Sequence, residues 1–283
     1  MSEGNGPGMA GRSFVIHDLV GRGAPLLICH ATGFCGQTYL PLAGLLARHY
    51  HAFAIDFRGH GDAPRPDDHD YSWACMAREV TTAATAIGDG PVHLVGHSMG
   101  GAAGLAAAAA APAAFASVFM FEPIVVSAPM LIPPGQNPMA AGARRRTQVF
   151  ESKQVALDKF RSKPPLSELS DDSLAAYVEY GLGTLPDGRA FLKCSGESEA
   201  RTYEATGQIS TQEIGGALLP IVIAAGDPAA SMLAEITPAI VDGLPNARHR
   251  IYRGLGHFGP LQAPDRIAAD VLEHIEATTS STY

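Results

Sequence analysis

The sequence predicts an α/β protein: a doubly wound, mostly parallel sheet with one inserted helical segment. Three observations carry this. Short apolar runs alternate with helical patterns over most of the chain. The apolar runs lack the polar alternation of a half-exposed strand, which marks strands buried on both faces. The alternation stops between residues 129 and 214, where prolines, charges and helical periodicity replace the strand signal. Strands joined through helices pair in parallel, because a parallel connection needs a long crossover.

Taken in order, FVIHDL (14–19) and PLLICHA (25–31) read as strands, and 40–48 as a helix. HAFAIDF (51–57) is a strand that ends at the turn-rich RGHGDAPRP. A helix over 73–87 leads to the strand PVHLVGHS (91–98), a helix over 99–111 and the strand ASVFMFEPI (116–124). Within the irregular region, GARRRTQVFESKQVALDKF (142–160) and SDDSLAAYVEY (170–180) read as helices, with no strong strand. Strands over 219–226 and 247–254 follow, trailed by helices over 232–241 and 264–277. The expected organisation is a core of residues 1–128 and 215–283 interrupted by a helical lid, 129–214. Such an excursion lies beyond the carboxyl ends of the strands, where open α/β sheets bind ligands.

Composition narrows the function classes. At 46% hydrophobic and 17% charged residues the chain can bury a sizeable core and is not a disordered polymer. A net charge of -8 gives no sign of a surface for nucleic acid or anionic membrane. The one basic run, Arg144 to Arg146, reads as a solvated helix face. No apolar stretch reaches the roughly 20 residues of a membrane span, and the Gly-rich first residues lack the apolar core of a signal peptide. Cys29, Cys35, Cys75 and Cys194 form no CxxC pair and read as reduced thiols, the usage of a cytoplasmic protein. The histidines are scattered and no HExxH occurs, so neither a metal nor a cofactor is expected. The sequence leaves a homodimer open.

The chemistry concentrates at Gly96-His97-Ser98-Met99-Gly100, where a buried strand stops and a helix begins. Small residues on both sides of a serine let the helix close on the strand and put the serine on a strained turn. Its hydroxyl then projects from the sheet edge, and the N–H of Met99 points where an oxyanion would form. A serine hydroxyl needs a base at neutral pH. His257, in GLGHFGP after the last strand, is the best placed of the eleven histidines. His30, His60 and His97 also lie near strand ends, but His97 faces away from Ser98 as packing and His60 braces loops.

Four motifs in this order, HATGF (30–34), DFRGHGDAPRP (56–66), GHSMGG (96–101) and GLGHFGP (254–260), resemble the α/β-hydrolase superfamily over most of the chain. The likeness implies Ser98 as nucleophile, His257 as general base and then acid, and an oxyanion hole from the N–H of Met99 and of the HATGF loop. Relatives with a glycine in that loop donate from the residue after it. Ala31 replaces the glycine, so the equivalent donor is Thr32, with Gly33 the alternative if the loop is shifted.

Two carboxylates compete to complete a triad. Asp227, in IAAGDPAA, follows the strand where most of this superfamily keeps its acid, but sits two positions early in the usual G-x-x-D pattern. Glu122, in VFMFEPIV, follows the strand after the nucleophile helix, which resembles branches that moved the acid there. It is also costly to bury without a partner such as histidine. The reading favours Glu122 and gives Asp227 the alternative role of capping the next helix.

A serine argues against the epoxide hydrolases and dehalogenases of this scaffold, which use aspartate, and suits acyl chemistry. Met130, Leu131, Ile132, Met139, Val149, Phe150, Tyr177, Tyr180, Leu182 and Leu185 supply an apolar lid, most of them as packing. The expectation is a hydrophobic small-molecule ester or lactone cleaved through an acyl-enzyme. Arg144 to Arg146 or Arg201 are the candidate carboxylate clamps. C–C bond hydrolase, cofactor-free haloperoxidase, acyltransferase and ligand-binding receptor are the alternatives.

Overall fold

The computed structural model describes residues 13–127, 133 and 135–280. Met130, Leu131 and Ile132, the Gly-rich start and the expected boundary at 128/129 lie outside them.

The core begins with β1 (Val15–Gly21), β2 (Ala24–Cys29), α1 (Leu40–Leu46) and β3 (Tyr50–Asp56). It continues with α2 (Trp73–Ile87), β4 (Val92–His97), α3 (Met99–Ala110) and β5 (Phe115–Phe121). A long excursion follows: α4 (Pro138–Arg145), β6 (Val149–Phe150), α5 (Lys153–Arg161), α6 (Asp171–Gly181), β7 (Leu182–Thr184), β8 (Ala190–Leu192), α7 (Gly196–Glu204) and α8 (Thr211–Ile214). The chain then returns through β9 (Ile221–Gly226), α9 (Thr237–Asp242), β10 (Ala247–Tyr252), α10 (Gly259–Gln262) and α11 (Pro264–Ser280).

The sheet has seven strands in the order β1-β3-β2-β4-β5-β9-β10. Only β1 is antiparallel to its neighbour. β4 and β9 are buried at every position, as their unbroken apolar runs require. One apolar cluster covers each face: Leu26, Leu42, Phe119 and Val271 on one side, Leu27, Met76, Leu105 and Ile223 on the other. The glycines and alanines of α3 let that helix lie close to the sheet. A Cβ on Gly100 would sit 2.5 Å from the carbonyl oxygens of Cys29 and His30, backbone that cannot yield.

The excursion departs from the all-helical expectation. The helix expected over 142–160 is two helices separated by a turn and a strand. Arg146 leaves the helical region with ψ 150°. Val149 and Phe150 then pair with β8, and Ser152 restarts a helix by accepting the Val155 N–H. β6, β8 and β7 form a small three-stranded sheet of their own. Asn137, Ser152, Ser170 and Ser195 each cap a helix here with a side-chain oxygen. The helix expected over 232–241 likewise splits into a 3-10 turn and α9, whose first turn carries Pro238.

The basic run is not simply a solvated face. Arg145 is exposed, but Arg144 pairs with Glu197 and Glu204 at 2.8 Å, and Arg146 turns inward onto Glu199 at 2.5 Å. Contacts such as Trp73 Nε1–H to the Thr202 carbonyl and the Ser170 N–H to the Leu261 carbonyl tie the excursion to the core.

Candidate active site

The site stands on neighbouring strand ends. β4 pairs with β5 so that His97 lies opposite Phe121. The next residues, Ser98 and Glu122, therefore leave the sheet side by side. The Ser98 N–H donates to the Phe121 carbonyl and the Glu122 N–H to that of Ala224. Both are non-glycine residues at positive φ, 55° for Ser98 and 40° for Glu122. Such backbone costs on the order of 1–3 kcal/mol and persists where the surroundings over-determine it. Here the ladder bonds and the closely packed α3 do so.

His257, on the loop between β10 and α10, closes the arrangement. Its Nε2 lies 3.1 Å from Ser98 Oγ, and its Nδ1 lies 2.6 Å from Glu122 Oε2. Ser98 is 8% and Glu122 0% exposed, while the imidazole is 23% exposed. Glu122 also accepts the Gly226 N–H at Oε1 (2.9 Å) and the Ser231 hydroxyl at Oε2 (2.7 Å). Burial pushes its carboxyl up, but the donors from His257, Ser231 and Gly226 outweigh burial and hold it below the usual range. The arrangement can thus keep a carboxylate ionised in an apolar setting, orient an imidazole and let its other nitrogen take a proton from a hydroxyl.

Asp227, the alternative acid, makes no hydrogen bond or ion pair with His257. Its Oδ1 accepts the Ala229 N–H (3.1 Å) and its Oδ2 the Gly254 N–H (3.1 Å), and Arg253 lies 3.5 Å away. The two-residue offset in its motif has a physical result: the side chain closes its own turn and ties it to the loop carrying His257.

Three backbone amides are the expected oxyanion donors: those of Met99, Thr32 and Gly33. Met99 is the first residue of α3, so helix geometry gives its N–H no intrahelical acceptor. In the HATGF loop the Phe34 N–H donates to the Ala31 carbonyl, and Gly33 has φ +81°. The amides of Thr32 and Gly33 have no partner among the described residues. Gly33 presents its Cα to Glu199, where a Cβ would meet the carboxylate at 2.8 Å.

His97 is more than the packing expected of it. The Ala31 N–H donates to Tyr39 Oη (3.2 Å), and Tyr39 Oη lies 2.7 Å from His97 Nδ1. His97 Nε2 is 2.8 Å from the His257 carbonyl, which accepts only, so the ring carries its proton on Nε2. Burial drives His97 well below the ordinary imidazole range and keeps it neutral. His60 braces its loop as expected, Nδ1–H to the Arg58 carbonyl at 3.1 Å, and His30 lies against it with ring centroids 5.1 Å apart. Ser231 and Tyr39 carry no local sequence signal for these contacts, which reach residues far along the chain.

An aromatic row runs from the excursion to the imidazole. Successive ring centroids are 5.7 Å for Phe160–Tyr177, 5.1 Å for Tyr177–Phe34, 5.7 Å for Phe34–Phe258 and 5.3 Å for Phe258–His257. Of the other apolar residues expected there, Phe150 and Leu182 are buried in the core cluster. Tyr180 and Leu185 are half-buried, and Met139 and Val149 face solvent at 56% and 40%. Away from this site, His17, Asp56 and Asp62 bring potential metal-ligating atoms within 4.8 Å of one another. These groups already hold protein partners. Asp56 accepts the N–H groups of Gly36 and Asp62, and Lys193 pairs with Asp62 at 2.6 Å.

A family model described as "Alpha/beta hydrolase family" matches residues 26–270. The (E)-2-((N-methylformamido)methylene)succinate hydrolase of Acinetobacter baylyi is 32% identical over 87 residues, 28% of this chain and 30% of its own. The 2-hydroxy-6-oxo-6-(2'-aminophenyl)hexa-2,4-dienoic acid hydrolase of Metapseudomonas resinovorans is 35% identical over 89 residues, 30% of each chain. The match thus spans less than a third of these relatives' length. The crystal structure of E-2-(acetamidomethylene)succinate hydrolase superposes with a TM-score of 0.75 at 19% identity, over 93% of this chain and 99% of that one. Among the described residues no helix is long and apolar enough to cross a membrane.

Proposed function

Because this chain belongs to the alpha/beta hydrolase family, we propose that it is a serine hydrolase cleaving a carboxylic ester or lactone of a hydrophobic small molecule. One observation carries the reading: a single imidazole bridges a strained serine hydroxyl at 3.1 Å and a buried carboxylate at 2.6 Å. In this mechanism Ser98 Oγ attacks the carbonyl carbon as His257 Nε2 takes its proton. Glu122 holds the Nδ1–H tautomer and stabilises the imidazolium without itself being protonated. The Met99 and Thr32 amides, with Gly33 the alternative to Thr32, receive the developing oxyanion. His257 then returns the proton to the leaving alkoxide, and a water activated by the same nitrogen releases the acid. No step calls for a cofactor.

The surroundings of His257 support an apolar substrate. The excursion, described over residues 135–214, serves as the lid, and its Tyr177 joins Phe34 and Phe258 in the apolar aromatic row that ends on His257. The arginines considered as carboxylate clamps are engaged: Arg144 and Arg201 share Glu197, and Arg146 holds Glu199 and the Tyr177 hydroxyl. A neutral, apolar substrate fits this lining better than a dicarboxylate. The second reading, an acid substrate like those named for the two curated relatives, is favoured by Arg146 alone, which lies 3.7 Å from where Gly33 would carry a Cβ.

Hydrolysis of p-nitrophenyl acetate and butyrate, a lactone series and a 2-hydroxy-6-oxo-dienoic acid, by wild type and Ser98→Ala, tests the proposal. Turnover of the esters or lactones that vanishes in the variant is the expected result. Turnover of the dienoic acid alone selects the second reading. A saturable thermal shift with a small ligand and no turnover of any compound would replace hydrolysis with binding.

A further inference from the structure

We infer that Ser231 is a positioning residue for the acid, its hydroxyl engaging the same carboxylate oxygen that His257 uses and limiting how strongly that oxygen holds the imidazole. The inference rests on the proposed serine-hydrolase reading and adds to it a determinant of the base's strength.

The geometry is a competition at one atom. Glu122 Oε2 lies 2.6 Å from His257 Nδ1 and 2.7 Å from Ser231 Oγ, while Oε1 takes the Gly226 N–H. Glu122 is 0% and Ser231 6% exposed, so solvent does not replace either donor freely. A hydroxyl on a carboxylate is a charge-assisted bond that draws density from the oxygen it touches. Each such donor leaves the carboxylate a weaker partner for the imidazolium.

The hydroxyl is held in place from both sides. The Ser231 N–H donates to the Asp227 carbonyl (2.8 Å) and its own carbonyl accepts the Ala234 N–H (3.3 Å). Asp227 also accepts the Gly254 N–H, so the turn that presents Ser231 is fastened to the loop that presents His257. Among the described residues, the other polar and charged groups near His257 make no hydrogen bond with the Ser231 hydroxyl. They are Ser98 on Nε2, neutral His97 with its ring centroid 4.9 Å away, Glu168 with Gln262 near Gly256, and Arg253 with Asp227 near Gly254.

The test compares wild type with Ser231→Ala and Ser231→Thr, and with Ser231→Cys should the alanine variant fail to fold. Two readouts are taken: the pH profile of kcat/KM on p-nitrophenyl butyrate, and the proton NMR titration of the His257 ring. In Ser231→Ala the acid limb and the ring titration both move to higher pH by about half a unit, with KM unchanged. Ser231→Thr keeps the wild-type midpoint, and Ser231→Cys, a weaker donor, falls between. An unmoved midpoint in Ser231→Ala, or a threonine variant that shifts as far as alanine, overturns the inference. The NMR titration needs no turnover. If Ser98→Ala still hydrolyses the ester, the function proposed above fails while the ring titration still decides the role of Ser231.

Discussion

Glu122 and Asp227 differ at the scale of a single residue, and the difference is testable. Glu122 contacts the imidazole directly, whereas Asp227 is spent on the Ala229 and Gly254 amides. Replacing a buried triad acid by its amide favours the wrong imidazole tautomer and lowers kcat by roughly 10³–10⁴-fold. We predict that loss for Glu122→Gln and less than a tenfold change for Asp227→Asn, measured as kcat on one ester. Comparable losses in both, or a loss only in the second, would reverse the choice of acid. The contact of Glu122 with a histidine was legible in sequence, because a carboxylate directly after an apolar strand demands a partner. The donors that complete its environment were not. The Gly226 amide and the Ser231 hydroxyl reach Glu122 across the fold, as the Tyr39–His97 link reaches the His257 carbonyl, and no local pattern encodes such contacts.

At the scale of elements, legibility followed burial. Strands buried on both faces announced themselves by unbroken apolar runs, and β4, β5 and β9 lie where those runs are. The expected helices over 73–87 and 99–111 match α2 and α3 within a residue. The half-exposed excursion was harder, since its short strands owe their existence to one another. Val149-Phe150 is two residues long and pairs only because β8 lies alongside. A helical pattern was the natural reading of residues 142–160, yet the inward pull of Glu199 on Arg146 coincides with the break. The register of β4 against β5 then does what no single element could, placing Ser98 and Glu122 at adjacent strand ends.

For the molecule as a whole, the buried histidines couple stability to pH. Burial lowers His30 to about 3 and His60 and His93 to about 4, and it holds His97 well below 6.5. All four are neutral in the fold at pH 7. On unfolding each recovers an ordinary value near 6.5, so below that pH the unfolded chain binds more protons than the native one. Stability therefore rises with pH in this window and falls on acidification, each histidine contributing up to ~1.4 kcal/mol per pH unit until its folded value is reached. Urea midpoints measured from pH 7.5 to 5 are expected to decline, most steeply below pH 6.5. A flat profile would mean that these rings are solvated or protonated in the native state.

The central claim is that Ser98 reacts, assisted by His257 and Glu122 and facing the Met99 and Thr32 amides. A crystal structure after reaction with an alkyl p-nitrophenyl phosphonate examines all of these groups at once. The account predicts phosphorus bonded to Ser98 Oγ, its phosphoryl oxygen within hydrogen-bond distance of both amides, and Glu122 still on His257 Nδ1. An inactivated enzyme with the adduct on another residue, or with Ser98 modified and its imidazole partnered by Asp227, would contradict it.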